Sequence, residues 1–276
     1  MQRQPDWNAA QFGDGAGFLD VAYVPETGIR SSSSVAYLHP IMDTRENLHV
    51  ILNTRALRVN LTNDRATSVD CVNELTGERI TYSAAKEIIL CAGAIDSPRL
   101  LLLSGIGPAD EIREHGINVV ADVPGVGRNL MEHASCPVIM GANGPITFLS
   151  QLRYDRAVLS VLRWWFNGSG PMSQIPITCW AFRKTSPELE RADIQFFFSP
   201  VALNATLWFP GIRKGAGHIV TARNCLRYPA SRGHVRLASA NAEDGPRVVT
   251  NMLQEDQDVR SLIGALRQTR ELMSTP

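Results

Sequence analysis

Gly93-Ala94-Ile95-Asp96-Ser97-Pro98-Arg99-Leu100-Leu101-Leu102-Leu103-Ser104-Gly105-Ile106-Gly107 decides how this chain is read. It follows an apolar run, Ile88-Ile89-Leu90-Cys91-Ala92, that reads as a buried strand. Gly93 ends that run at a point where backbone can approach a ligand closely. Ser97 is a good helix N-cap and Pro98 a good first helical residue. The pattern is therefore strand, small-residue turn and short apolar helix, closing at Gly105. A strand's carboxyl end beside a fresh helix N-terminus is where α/β proteins hold anionic cofactors.

Working outward, residues 50–61 and 66–75 have β character and are separated by Asn63-Asp64. Thr76-Gly77 is a turn signal, and residues 79–83 alternate as another strand. This predicts a small antiparallel meander feeding the run at Ile88. Residues 110–115 read as a short helix, with Asp110 and Glu111 at its positive end and Gly116 closing it. After about Pro137 the character changes. Residues 151–166 read as an amphipathic helix with Leu152, Leu159, Leu162 and Phe166 on one face, ended by Gly168. Residues 193–198, 218–222 and 234–238 read as three strands of one antiparallel sheet. Residues 258–273 form a last helix, with Val259, Leu262, Ile263, Leu266 and Met273 on one face. The fold class is mixed α/β (α+β).

The decisive stretch resembles the second signature of the glucose–methanol–choline (GMC) family of flavin oxidoreductases. Gly93, Ser97, Pro98, the Leu run and Ser104-Gly105-Ile106-Gly107 all fall at the family spacing. Upstream, Gly28-Ile29-Arg30-Ser31-Ser32 with Ala36-Tyr37-Leu38-His39-Pro40 resembles another family segment, and Asn47-Leu48-His49-Val50 its next strand. Val123-Pro124-Gly125-Val126-Gly127-Arg128-Asn129-Leu130 with His133 matches a further block, although Glu132 stands where Asp is usual. Ser231-Arg232-Gly233-His234-Val235-Arg236-Leu237 and residues 256–258 resemble the opening of the family's C-terminal portion.

The resemblance implies part of an FAD-binding Rossmann-like domain over residues 1–137. It implies an antiparallel-sheet substrate domain with helices on one face over residues 138–276, the C-terminal family region starting near residue 230. It implies oxidation of a CH–OH group, a primary alcohol or choline going to the aldehyde with hydride passing to flavin N5. FAD is the implied cofactor and a small alcohol the implied substrate; the electron acceptor stays open. Ala92 and Gly93 are placed at the adenosine part of FAD. Ala56 falls where the family usually has a Val whose backbone meets the adenine edge.

No residue is nominated as catalytic. The family opens with a Gly-rich pyrophosphate turn, and the nearest candidate, Gly13-Asp14-Gly15-Ala16-Gly17, has the wrong spacing and reads as a flexible loop. The family closes with a catalytic His motif, and Pro276 falls before it. The chain is thus expected to be an internal fragment, inactive alone and a poor retainer of FAD. The alternative is a non-catalytic remnant or a binding partner of a full-length homologue.

Asn129 and His133 read more simply as a turn cap and a partner for buried backbone. Cys91 reads as a small buried hydrophobe, and Trp164, Trp165, Trp180 and Trp208 read as core ahead of cavity lining. Lys plus Arg and Asp plus Glu number 27 each, which argues against a nucleic-acid or acidic-membrane partner. No apolar run approaches the ~20 residues of a transmembrane span. The five cysteines form no Cys-x-x-Cys pair, so no metal site is expected. A cytoplasmic setting follows, with a peripheral place at the inner membrane as its variant.

Overall fold

The computed structural model describes residues 2–3, 14–18, 23–24, 27–173, 176–177, 179–202 and 204–274. They fall into two compact units, each discontinuous in sequence. One is drawn from residues 1–48, 133–229 and 255–276, the other from residues 49–132 and 230–254.

The first unit is built on a six-stranded sheet. Its order is Gln2–Arg3, Gly15–Phe18, Cys179–Arg183, Ile194–Ser199, Ile219–Leu226 and Ser135–Gly141. All pairings are antiparallel except the first. Gly15, Ala16 and Gly17, expected in a flexible loop, are instead strand residues in register with Phe182, Ala181 and Trp180. Cross-strand pairing supplies the order that the local sequence lacks; Gly13 lies outside the described residues. Four α-helices are found among the described residues of the two units: α1 (Gly93–Leu103), α2 (Ala109–Glu114), α3 (Tyr154–Asn167) and α4 (Asp256–Met273).

Helix α4 packs across Ile219–Leu226 and Ser135–Gly141. Ala181, Ile194, Phe196, Leu226 and Ala265 form the core between helix and sheet. A buried polar link crosses that layer. Thr269 Oγ1 lies 2.5 Å from Asn224 Oδ1 and 2.9 Å from the Ala265 carbonyl oxygen, and Asn224 Nδ2 donates to the Cys136 carbonyl at 2.9 Å. Asn224 and Thr269 are both fully buried. Each polar atom there needs its partner, because an unsatisfied buried group costs about 1–3 kcal/mol.

Helix α3 ends where expected, in a left-handed Gly168 (φ 61°) whose N–H donates to the Trp164 carbonyl at 2.8 Å. Its apolar stripe faces outward. The small residues Ala157 and Ser160 are buried, whereas Leu159, Leu162 and Phe166 are exposed. Trp164 is fixed by a hydrogen bond from Nε1 to the Gly28 carbonyl.

The second unit opens with the expected meander. Thr54–Thr62, Arg65–Asn73 and Arg79–Ser83 pair antiparallel in sequence order. Asn63 and Asp64 both adopt positive φ, the conformation a tight two-residue hairpin requires. Two readings fail here. Residues 88–92 form no ladder among the described residues, nor do Asn47, Leu48, His49 and Val50. Apolar composition favours a strand but cannot create one without a hydrogen-bonded neighbour. Ile89 is 73% exposed, and Cys91, read as buried, is exposed too.

Helix α1 begins at Gly93, earlier than Ser97 and Pro98 predict, and Pro98 lies inside it. Gly93, at φ 82°, makes the turn into the helix itself.

The third expected strand of the large sheet belongs elsewhere. Gly233–Arg236 pairs with Arg128–Leu130 on one side and Arg247–Val249 on the other. Gly127 and Gly233 make this possible. A Cβ at Gly127 would lie 2.2 Å from the Val235 carbonyl oxygen, and one at Gly233 would lie 2.1 Å from that of Val249. Only glycine lets these backbones meet. Leu102, Leu103, Ile112 and Leu237 form the core of this unit.

Candidate cofactor site

Ala56 and Ala92, chosen from separate sequence blocks, line one cavity of about 210 Å³ in the second unit. Ala56 sits in Thr54–Thr62 opposite Cys71. The ladder then slips, so that Arg58 pairs with Asp70 and Leu57 is the extra residue. Such a bulge re-aims side chains next to it, and Leu57 is buried while Ala56 borders the cavity. Ala92 is the N-cap of α1 and provides no side-chain cap, so first-turn N–H groups have no side-chain acceptor there. Leu100 and Leu103 of α1 supply the apolar wall.

Charge is placed at the rim and tethered. Arg55 Nε lies 2.9 Å from Glu74 Oε1, and its Nη1 donates to the Ala242 carbonyl. Arg99 pairs with Asp96 at 3.0 Å and donates to the Ala242 and Asp244 carbonyls. The wall is held by Ser104, which is fully buried. Its Oγ accepts from the Val59 amide at 2.9 Å and donates to the Leu100 carbonyl at 2.5 Å. Burial pushes the Cys71 thiol above its ordinary range, with the Asp70 charge adding to the effect. The sulfur behind the Ala56 strand is therefore a thiol, not a nucleophilic thiolate.

Gly93 follows Ala92 but does not border the cavity, and the space where its Cβ would stand is open. Asn129 lies elsewhere, on a wider groove of about 490 Å³. Ser97 and Pro98 form one wall of that groove and residues 125–131 the other. Two blocks distant in sequence thus meet across α1. Asn129 has φ 58° and is exposed, as is His133. Asn129 thus sits in a left-handed turn position, and both side chains reach the surface.

Glu111 was legible only as a helix-start acid. Here its carboxylate pairs with Arg128 and with Arg236 at 3.5 Å, tying α2 to the three-stranded sheet. Only the arginine content of the 123–130 and 231–237 blocks hinted at this. Trp165 is neither core nor cavity lining, at 75% exposed.

The GMC oxidoreductase N-terminal model matches residues 6–135, and the corresponding C-terminal model matches residues 229–276. The chain belongs to the GMC oxidoreductase family. It is 31% identical to an alcohol dehydrogenase [acceptor] of Pseudomonas putida, over 98% of this chain and 48% of that protein. It is 33% identical to an oxygen-dependent choline dehydrogenase of Burkholderia pseudomallei, over 99% of this chain and 47% of that one. The fold matches an FAD-dependent oxidoreductase of Chaetomium thermophilum with TM-score 0.84 and 19% identity, over 99% of this chain and 52% of the other. The GMC chain spans about half the length of the curated relatives it matches.

Ala56 and Ala92 present small side chains to the cavity, between the apolar Leu100 and Leu103 and the polar Arg55, Asp96 and Arg99. Its two small side chains leave the space open, and a larger residue at either alanine would fill it. Among the described residues no helix is long and apolar enough to cross a membrane.

Proposed function

We propose that this chain forms the adenosine-side wall and much of the substrate-side body of an FAD-dependent oxidoreductase acting on CH–OH groups. The substrate class is a primary alcohol or choline. The observation that carries the reading is the convergence of Ala56 and Ala92 on one cavity from two family blocks. FAD, when bound, supplies the hydride acceptor. Ala56 and Ala92 admit the adenine edge, Arg55 and Arg99 stand beside it, each paired with a carboxylate (Glu74 and Asp96), and the groove at Asn129 borders the flavin side. Among the described residues no histidine lines the alanine cavity or that groove. On this reading residues 1–137 belong to the cofactor side and 138–276 to the substrate side. The setting is the cytoplasm, with peripheral attachment to the inner membrane as the variant.

Calorimetric titration tests the site. FAD and ADP should bind weakly and compete, and Ala92→Phe should abolish both while leaving the circular dichroism unchanged. FMN binding without ADP binding, or unaltered FAD affinity in Ala92→Phe, would overturn it. The chain alone should not reduce a dye with choline or a primary alcohol, because a missing general base typically costs about 10²–10⁴-fold.

A second reading, a non-catalytic partner of a full-length homologue, is favoured by one observation. Residues 50–52 and 88–90 are apolar, have no ladder among the described residues, and include the strongly exposed Leu52 and Ile89. Uncovered apolar segments of this kind are pairing surfaces. Co-expression with a full-length GMC homologue followed by size exclusion decides it: co-elution lost on Ile89→Lys supports the reading, and separate elution removes it.

A further inference from the structure

Helix α3 is amphipathic with its apolar side outward. Taking 100° per residue, Val158, Leu159, Val161, Leu162, Trp165 and Phe166 sweep an arc of about 160°. All six are exposed, Trp165 and Phe166 by 75% and 76%. The opposite sector, Ala157, Ser160 and Trp164, carries the packing against the unit. Arg156 and Arg163 lie between the two sectors, and both are exposed.

A second segment joins this surface. The Tyr154 amide donates to the Trp208 carbonyl at 2.9 Å, and the Trp208 amide donates to the Leu152 carbonyl at 3.1 Å. This seats the following turn beside the start of α3. Phe209 and Arg213 close that turn through reciprocal backbone hydrogen bonds, and its tip presents Ile212 at 82% exposure with exposed Arg213 and Lys214. Residues 153–167 and 204–217 together hold five cations (Arg153, Arg156, Arg163, Arg213 and Lys214) against one carboxylate, Asp155. Zero net charge over the whole chain conceals this local excess.

We propose that α3 and the 208–214 turn form a docking surface for an anionic phospholipid bilayer. A helix that is strongly two-sided yet not hydrophobic on average, with Trp, Phe and Leu on one side and Arg beside them, lies in the interfacial plane of a membrane. The arginines reach the headgroups while their stems stay against the apolar zone, and the local positive charge matches an anionic leaflet. A protein partner is the poorer match, since interface centres are depleted of charge and this surface keeps an excess of four positive charges after Arg153 is paired with Asp155 at 2.6 Å. The proposal goes beyond the cofactor reading and does not depend on it.

Flotation of the 276-residue chain with vesicles tests it. Vesicles of phosphatidylcholine with phosphatidylglycerol should carry the protein, and pure phosphatidylcholine should carry less. Added salt should weaken binding to the anionic vesicles. The Leu162→Asp/Trp165→Asp variant should bind about tenfold or more weakly. Arg156→Glu/Arg163→Glu should lose the preference for phosphatidylglycerol. Both pairs are exposed, and circular dichroism checks that the fold is kept. Failure to float with either vesicle, or undiminished flotation of the aspartate variant, overturns the proposal. So does a dimer, seen by light scattering without vesicles, that the aspartate variant dissociates; the face would then belong to a second copy.

Discussion

Val59 and Ser104, forty-five residues apart, are joined by a 2.9 Å hydrogen bond from the Val59 amide to Ser104 Oγ. Ser104 also returns its proton to the Leu100 carbonyl, so one hydroxyl fixes the end of α1 against the meander that carries Ala56. Ser104→Ala would leave the Val59 amide buried without an acceptor. The expected loss is about 1–3 kcal/mol, read as a lower urea midpoint with unchanged slope. Amide exchange along Thr54–Thr62 should accelerate, and FAD or ADP affinity should fall with it. Unchanged exchange at Val59 would show that the bond does not hold the wall.

Thr269 offers a matched test in the first unit. Thr269→Val keeps the shape but strips Asn224 Oδ1 of its donor inside a closed layer. The expected cost is again about 1–3 kcal/mol, whereas Thr269→Ser, which keeps the hydroxyl, should cost markedly less. Equal losses in the two variants would mean that packing, not the hydrogen bond, holds α4 to the sheet. Thermal unfolding of the three proteins side by side reads the difference.

Much of this architecture is legible in the sequence because local chemistry and fold agree. Asn63-Asp64 and Thr76-Gly77 mark the meander's turns, Gly116 and Gly168 close α2 and α3, and the 93–107 signature locates the helix beside the cavity. The misplaced elements are those decided by neighbours. Residues 88–92 read as a strand from composition but lack a hydrogen-bonded partner. Gly233–Arg236 alternates like its supposed sheet-mates, yet joins Arg128–Leu130 because Gly127 lets the backbones touch. The periodicity of α3 located its stripe correctly, but periodicity does not say which face turns inward; the small Ala157 and Ser160 decided that. Ala56 and Ala92 were each found by motif, whereas their shared cavity and the holding role of Ser104 are tertiary facts.

The glycine contact invites a direct substitution. Gly127 combines φ 73° with a would-be Cβ 2.2 Å from the Val235 carbonyl oxygen, so alanine meets both a backbone penalty and a backbone clash. Gly127→Ala should cost about 1–3 kcal/mol or more and open the hydrogen bond from the Val235 amide to the Gly127 carbonyl. By contrast Gly125→Ala, with open space around it, should be nearly neutral. Similar melting temperatures for the two variants would contradict the close approach.

His234 makes the second unit sensitive to pH. Burial lowers its pKa below the ordinary 6.5, and the nearby Arg236 and Arg128 guanidiniums push it further in the same direction. The folded state therefore favours the neutral ring. Between the folded value and 6.5 the unfolded chain binds the proton more readily, so stability rises with pH across that window and levels off above it. Acidification through 6.5 should destabilise the unit, and His234→Gln should flatten that part of the profile. Arg236→Gln should raise the histidine pKa by removing one cation, although it also takes a partner from Glu111. NMR titration of the imidazole reads the pKa directly, and urea midpoints measured across the same pH range read its consequence. A His234 resonance titrating at or above 6.5, or a His234→Gln profile that parallels the parent's, would remove this histidine as the source of the acid sensitivity.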